Sequence, residues 1–389
     1  VIEFSSRLAW HAPQNRITAL VEAKRGACED ILDLTESNPT KAGFTFPGGI
    51  LNAFEDTANL RYDPHPAGLP HAREAVAAAT GVSSDRIFLT ASTSEAYSYL
   101  FKLLADPGDE VLVPRPSYPL FELLASLDSV RAVHYPLVYH GTWTLDVDAL
   151  HAAATPRLRA VVIVNPNNPT GSFLKRGEFV RLADFCRERN LALISDEVFS
   201  SYAIGPDPER VTTLAHNEDV LTFCLNGLSK LCGLPQMKLG WITLAGPAAA
   251  RERAFAKLEW IADTYLSVGT PVQCAASRLL AAGRDVQSHI AQRIGSNLER
   301  LRKAIAGSPC GLLRVEGGWY AILRVPRIRT EEQWCLDLLE HGNVLVQPGF
   351  FFDFETEAFL VLSLLTPERR FEDGLSRLLA RTEGGVQNI

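Results

Sequence analysis

The chain has no long hydrophobic run, no paired-cysteine motif and no excess of positive charge. No apolar stretch approaches the roughly 20 residues that a membrane-crossing helix requires, so no membrane span is expected. The seven cysteines (Cys28, Cys186, Cys224, Cys232, Cys274, Cys310 and Cys335) are odd in number, scattered, and never spaced C-x-x-C. That pattern points to a reducing compartment rather than a disulfide framework or a zinc site. Lysine and arginine total 38 against 45 aspartate and glutamate, a net charge of −7, which argues against nucleic acid or an anionic membrane as partner. The opening Val-Ile-Glu-Phe-Ser-Ser-Arg lacks the basic-then-apolar build of a signal peptide, and a cytoplasmic protein is expected. There is also no Walker A loop, G-x-G-x-x-G, H-E-x-x-H or zinc-spaced Cys/His set, and no metal is expected.

What is present is an alternation. Strand-like runs at Ile87 to Leu89, Glu110 to Val113, Ala132 to Tyr135, Ala160 to Val164, Leu191 to Ser195, Val220 to Leu225 and Trp241 to Leu244 are mostly separated by helical stretches. Ser94 to Leu104 and Lys175 to Arg189 are two of these. Such order reads as an α/β fold with a mostly parallel, seven-stranded sheet covered by helices on both faces. Residues 1 to 45 carry helical patterns at Ile17 to Cys28 and Ile31 to Leu34, then an extended arm through Asn38-Pro39. After a long helical region, Gly311 to Val315, Tyr320 to Val325, Val344 to Gln347 and Phe359 to Leu365 read as strands of a smaller α+β unit. At 389 residues the chain is long enough for two or three domains.

Chemistry concentrates where strands end. The apolar run Val220 to Leu225 stops at Asn226-Gly227, Lys230 follows, and Cys232-Gly233-Leu234-Pro235 prevents a long helix. A lysine held on a short connection between buried strands loses solvation, which lowers its pKa and suits it to Schiff-base chemistry. Ser92-Thr93-Ser94 stands between a strand and a helix start, where hydroxyls and free N–H groups favour an anion such as phosphate. Asn165-Pro166-Asn167-Asn168-Pro169-Thr170-Gly171 is a rigid turn that offers the Asn168 amide beyond the sheet's carboxyl edge. Asp196, at the end of another apolar strand, is a carboxylate that needs a cationic partner.

Taken together, these stretches resemble the fold-type I pyridoxal-phosphate enzymes of the class I/II aminotransferase superfamily, in order and spacing over nearly the whole chain. The resemblance implies the PLP-dependent transferase fold. It implies an N-terminal arm and part of a small domain at 1–45, a large cofactor-binding domain at 46–285 and a C-terminal small domain at 286–389. By the same likeness the cofactor is pyridoxal 5′-phosphate, bound through Lys230. Asp196 would keep the ring nitrogen protonated, so that the ring accepts the electrons of a carbanion. Asn168 would hold the phenolic oxygen, and Tyr118 and Val198 would pack on the two ring faces. Ser92, Thr93, Ser94, Ser229 and Lys238 would cradle the phosphate. Tyr62, in Y-x-P-x-x-x-G-L, would cross a homodimer interface to the neighbouring phosphate. Ser37, Phe44, Trp319 and Val361 are the expected substrate-site positions. The implied reaction moves an amino group between an amine or amino-acid donor and a keto acid.

Three departures from the family's pattern bear on this expectation. Lys238 stands where an arginine is usual, keeping the charge without the bidentate fork. Phe199 stands where a tyrosine would donate to the phenolic oxygen; without it, the proton on the lysine–cofactor linkage should be held more tightly. Val361 stands where an arginine would grip the substrate's α-carboxylate, a charge-assisted contact worth roughly 1.5–3 kcal/mol. Either the substrate has no α-carboxylate, or Arg115, Arg324, Arg369 or Lys41 supplies the grip. Alternatives within the fold are a lyase or decarboxylase, or a protein that binds the cofactor without catalysis. Outside it, Ser172-Phe173-Leu174-Lys175 matches the S-x-x-K of some serine hydrolases.

Overall fold

The computed structural model describes residues 2–10 and 14–387. A two-residue strand, β1 (Leu32–Asp33), precedes the eight strands of the main sheet. These are β2 (Ile87–Thr90), β3 (Glu110–Arg115), β4 (Arg131–Tyr139), β5 (Trp143–Leu145), β6 (Leu158–Val164), β7 (Ala192–Asp196), β8 (Thr222–Gly227) and β9 (Gly240–Ala245). Their spatial order is β2-β9-β8-β7-β6-β3-β4-β5. The pairs β3/β4, β3/β6, β6/β7 and β7/β8 are parallel; β9 runs against both its neighbours and β5 against β4. The sheet therefore has eight strands where seven are expected. The extra one, Trp143–Leu145, folds back on β4 and is too short to leave a periodic pattern.

The continuous apolar runs of the central strands divide between two faces. Along β6, Val161 and Ile163 enter one core while Ala160 and Val162 enter the other; along β7, Leu193 and Ile194 separate in the same way. Burial on both faces is what a parallel sheet flanked by helices demands. From β3 the chain passes to β4 on one side and then returns to β6 on the other, so β3 and β6 are neighbours whose connections depart in opposite directions. That divergence opens a crevice at their carboxyl ends, the place where open α/β sheets bind ligands.

The second sheet is formed by β10 (Gly311–Leu312), β11 (Tyr320–Arg324), β13 (Gln347–Pro348) and β14 (Phe359–Ser363), ordered β10-β11-β14-β13, while β12 (Val344–Leu345) pairs in parallel with β1. Ile31 to Leu34, expected to be helical, is thus drawn into a strand by its pairing with Val344 and Leu345. The helix Thr270–Ala304 serves both cores: Val272 to Leu280 pack with the main sheet, Val286 to Leu301 with the second. The arm is fastened to β14, where the Ser363 amide donates to the Leu34 carbonyl at 2.7 Å and its hydroxyl to the Glu36 carbonyl at 2.6 Å.

Candidate active site

The connections after β3, β6, β7 and β8 converge on one cavity of about 320 Å³, walled by residues from both sheets. Its floor is Asp196, the last residue of β7. One carboxylate oxygen accepts from the Val198 amide at 3.2 Å and the other from the Tyr97 hydroxyl at 3.1 Å. Burial raises this carboxyl's pKa to about 6, against the pull of those donors and of Lys230. Glu197 braces the same strand end. Its carboxylate accepts from Ser195 Oγ, Thr213 Oγ1 and the Leu214 amide, and its carbonyl from Asn226 Nδ2 on β8.

Lys230 lies on a single helical turn, Leu228–Leu231. Its carbonyl accepts from the Tyr202 hydroxyl at 2.6 Å. Two residues on, Cys232 seats against Gly283 of the long helix so closely that a Cβ there would lie 2.3 Å from the thiol sulfur. The Nζ stands 4.9 Å from the Trp319 ring centre and 5.6 Å from that of Phe199. Burial between these rings lowers the ammonium pKa to about 8, with Asp196 opposing the shift. The aromatic nest is completed by Tyr202, edge-on to Trp319; of the three rings, Trp319 and Phe199 are legible in the sequence as motif positions and Tyr202 is not.

Ser92 caps the helix Thr93–Leu104, its Oγ accepting from the Glu95 amide, while Glu95 reaches back to the Ala91 amide. The Thr93 and Ser94 amides, at the positive end of the helix dipole, have no acceptor among the described residues. Ser229 and Lys238 line the same cavity, Lys238 in the left-handed conformation with φ 54°. Tyr118, Val198 and Asn168 form the walls. The Asn168 carbonyl oxygen is buried without a hydrogen-bond partner. An amide in the cavity wall, a buried carboxylate, a confined lysine and a cradle of free amides and hydroxyls together fit the phosphorylated pyridine aldehyde that the resemblance implies.

The cavity is also lined by Ser37, Leu120, Phe121, Leu124, Phe199 and Tyr320. Burial raises the Tyr320 phenol pKa to about 12, so it stays neutral. Lys230 and Lys238 are the only cations among the lining residues. Val361 does not reach the cavity: it is fully buried in an apolar cluster with Trp143, Ile322, Phe352 and Phe359. Arg115 binds the Asp353 carbonyl, and neither it nor Arg324, Arg369 or Lys41 lines the cavity. Phe44 lies outside as well, under the Arg293 guanidinium, and Tyr62 is 82% exposed on another surface. Tyr97, Phe121 and Tyr320 are among the lining residues that sequence reading missed; each lies in a helix or strand pattern that reads as core. The Ser172/Lys175 pair has no hydrolytic geometry, because the Lys175 ammonium is bound to Asp207 at 2.7 Å and Glu316 at 2.6 Å. Among the described residues there is no cluster able to hold a metal ion and no helix long and apolar enough to cross a membrane.

The profile of the family described as aminotransferase class I and II matches residues 29–376. The chain is 30% identical over 372 residues to the glutamate-pyruvate aminotransferase AlaA of Escherichia coli, with 91% of each chain covered. It is 32% identical over 334 residues to nicotianamine aminotransferase 1 of Oryza sativa, covering 81% of this chain and 66% of the relative. The crystal structure of an aminotransferase from Escherichia coli superposes with a TM-score of 0.86 at 26% identity, covering 99% of both chains.

Proposed function

Because the chain belongs to the class I and II aminotransferase family and is a pyridoxal-phosphate-dependent transaminase, we propose that the cavity residues divide into a cofactor end and a substrate end. At the cofactor end, Lys230 Nζ is the covalent anchor and the base that carries the α-proton, which the lowered pKa suits it to do near neutral pH. Asp196 is the counter-ion of the ring nitrogen, and the side-chain N–H of Asn168, in the cavity wall, donates to the phenolic oxygen. Ser92, Thr93, Ser94, Ser229 and Lys238 take the phosphate, while Tyr118 and Val198 confine the ring. When bound, the cofactor supplies a conjugated ring that accepts the electrons left as the α-proton departs. The domain division at residues 45 and 285 belongs to the same proposal, as do a cytoplasmic location and a homodimer in which the exposed Tyr62 meets a second copy.

For the substrate we propose an amine whose reacting carbon bears no carboxylate. The observation that carries this is Val361, closed into apolar packing, with no arginine among the described residues lining the cavity. A carboxylate at the Ser37/Tyr320 end would meet neutral hydroxyls and aromatic rings, without the cation its desolvation requires. A common amino-acid donor is the second reading, favoured by the name of the relative from Escherichia coli.

Single-turnover mixing of the loaded enzyme with L-amino acids and with carboxylate-free amines separates the two. Conversion of the cofactor to pyridoxamine phosphate by the amines alone is expected. Rapid conversion by glutamate or alanine would sink the proposed substrate class and leave transamination standing.

A further inference from the structure

Tyr97 is not among the groups the mechanism above uses. It projects from the helix Thr93–Leu104, one turn beyond the hydroxyl cluster, and only 3% of it is exposed. Its ring is gripped edge-on by Phe121 at 5.5 Å and lies tilted against Phe101 at 5.9 Å. Its hydroxyl has one hydrogen-bond partner, Asp196 Oδ2 at 3.1 Å. The ring cannot swing away, so the phenol is a fixed donor.

An ionised carboxylate offers about four lone-pair sites on its two oxygens. The Val198 amide occupies one on Oδ1 and Tyr97 one on Oδ2. The carboxylate plane is thereby locked, and free lone pairs remain on the side facing the cavity. A phenol donor also favours the charged over the neutral form of the acid it bonds, and burial works the other way. Removing the hydroxyl would let the carboxyl rotate and would shift the proton shared with a ring nitrogen toward Asp196.

We propose that Tyr97 is a positioning residue that keeps Asp196 ionised and aimed at the cofactor's ring nitrogen. This rests on the assignment of Asp196 to that nitrogen. The test measures the affinity of the cofactor-free apoenzyme for pyridoxal phosphate and for its 1-deaza analogue, in which a C–H replaces the ring nitrogen, by fluorescence titration. Tyr97→Phe keeps the ring packing and removes only the donor. It is expected to weaken pyridoxal phosphate about tenfold, the scale of one hydrogen bond to a charged group, and to leave the deaza analogue unchanged. In an Asp196→Asn background the same substitution should have no further effect. The ¹⁵N shift of labelled cofactor supplies an independent reading, moving toward the unprotonated ring nitrogen in the Tyr97→Phe enzyme.

Equal weakening of both cofactors would mean that Tyr97 acts only by packing, and unchanged affinity with an unmoved ¹⁵N shift would mean that it does nothing for Asp196. Either result overturns the proposal. If Asp196→Asn fails to discriminate the two cofactors, the assignment of Asp196 falls and takes this inference with it. If Asp196→Asn discriminates and Tyr97→Phe does not, only the role of Tyr97 is lost.

Discussion

The Lys230 ammonium stands over the face of Trp319, 4.9 Å from the ring centre, in a nest that excludes water more than it compensates the charge. Cation–π attraction favours the charged form by about 0.5–2 kcal/mol, yet desolvation is the larger effect here and the pKa falls to about 8.

A pH dependence follows. Capture of pyridoxal phosphate by the apoenzyme requires the neutral amine, so its rate should rise with pH and level off above about 8. Trp319→Leu admits water and should move that midpoint upward, toward the ordinary lysine value. Stopped-flow absorbance over pH 6 to about 10 measures both, with Lys230→Ala as blank. An unshifted midpoint in the variant would show that Trp319 is not the desolvating wall.

Asp196 titrates in the other direction. Its folded pKa, about 6, lies above the ordinary 3.8, so between those values the folded apoenzyme holds a proton that the unfolded chain releases. This contribution to stability is complete below the unfolded value and is lost as pH rises through about 6. Asp196→Asn should therefore gain on the wild type over that window in urea unfolding of the apoenzyme. A constant difference across it would contradict the assigned environment.

Phe199 lines the cavity beside Lys230 and carries no hydroxyl. Phe199→Tyr restores a donor for the cofactor's phenolic oxygen and should release the proton on the lysine–cofactor linkage more readily. The absorbance titration of the holoenzyme should move to lower pH. A shift upward, or none, would mean that the ring edge does not face that oxygen.

Gly171 ends the Asn168 turn at φ 69°, where a Cβ would meet the Gly317 carbonyl oxygen at 2.4 Å. Gly171→Ala has to relieve both the left-handed strain and the clash, at a cost of roughly 1–3 kcal/mol or more. Chemical denaturation should register that loss, together with weaker cofactor binding, because the displaced turn carries Asn168.

The reach of sequence reading follows from how each residue is presented. Lys230, Asp196 and Asn168 were legible because each follows an apolar strand and is bounded by proline, glycine or a carboxylate, which break periodicity. Tyr97 and Tyr320 were not, since one lies inside an amphipathic helix and the other opens an apolar strand, and both read as core. Tyr62 and Phe44 are motif positions that lie outside the cavity within a single copy of the chain. The three-residue β5 and the two-residue β1 exist through their partners and have too few residues for a period of their own.

The bonds from Ser363 to Leu34 and Glu36 fasten the mouth of the cavity to a strand more than 320 residues further along the chain. The cofactor cradle, from Ser92 to Lys238, is complete long before that strand has been synthesised. On the ribosome the cradle therefore emerges before Gly283 and Trp319, which seat and desolvate the Lys230 turn, and before Tyr320 of the second sheet. Chain order puts the second sheet's contribution to the cavity, Tyr320 of β11, last.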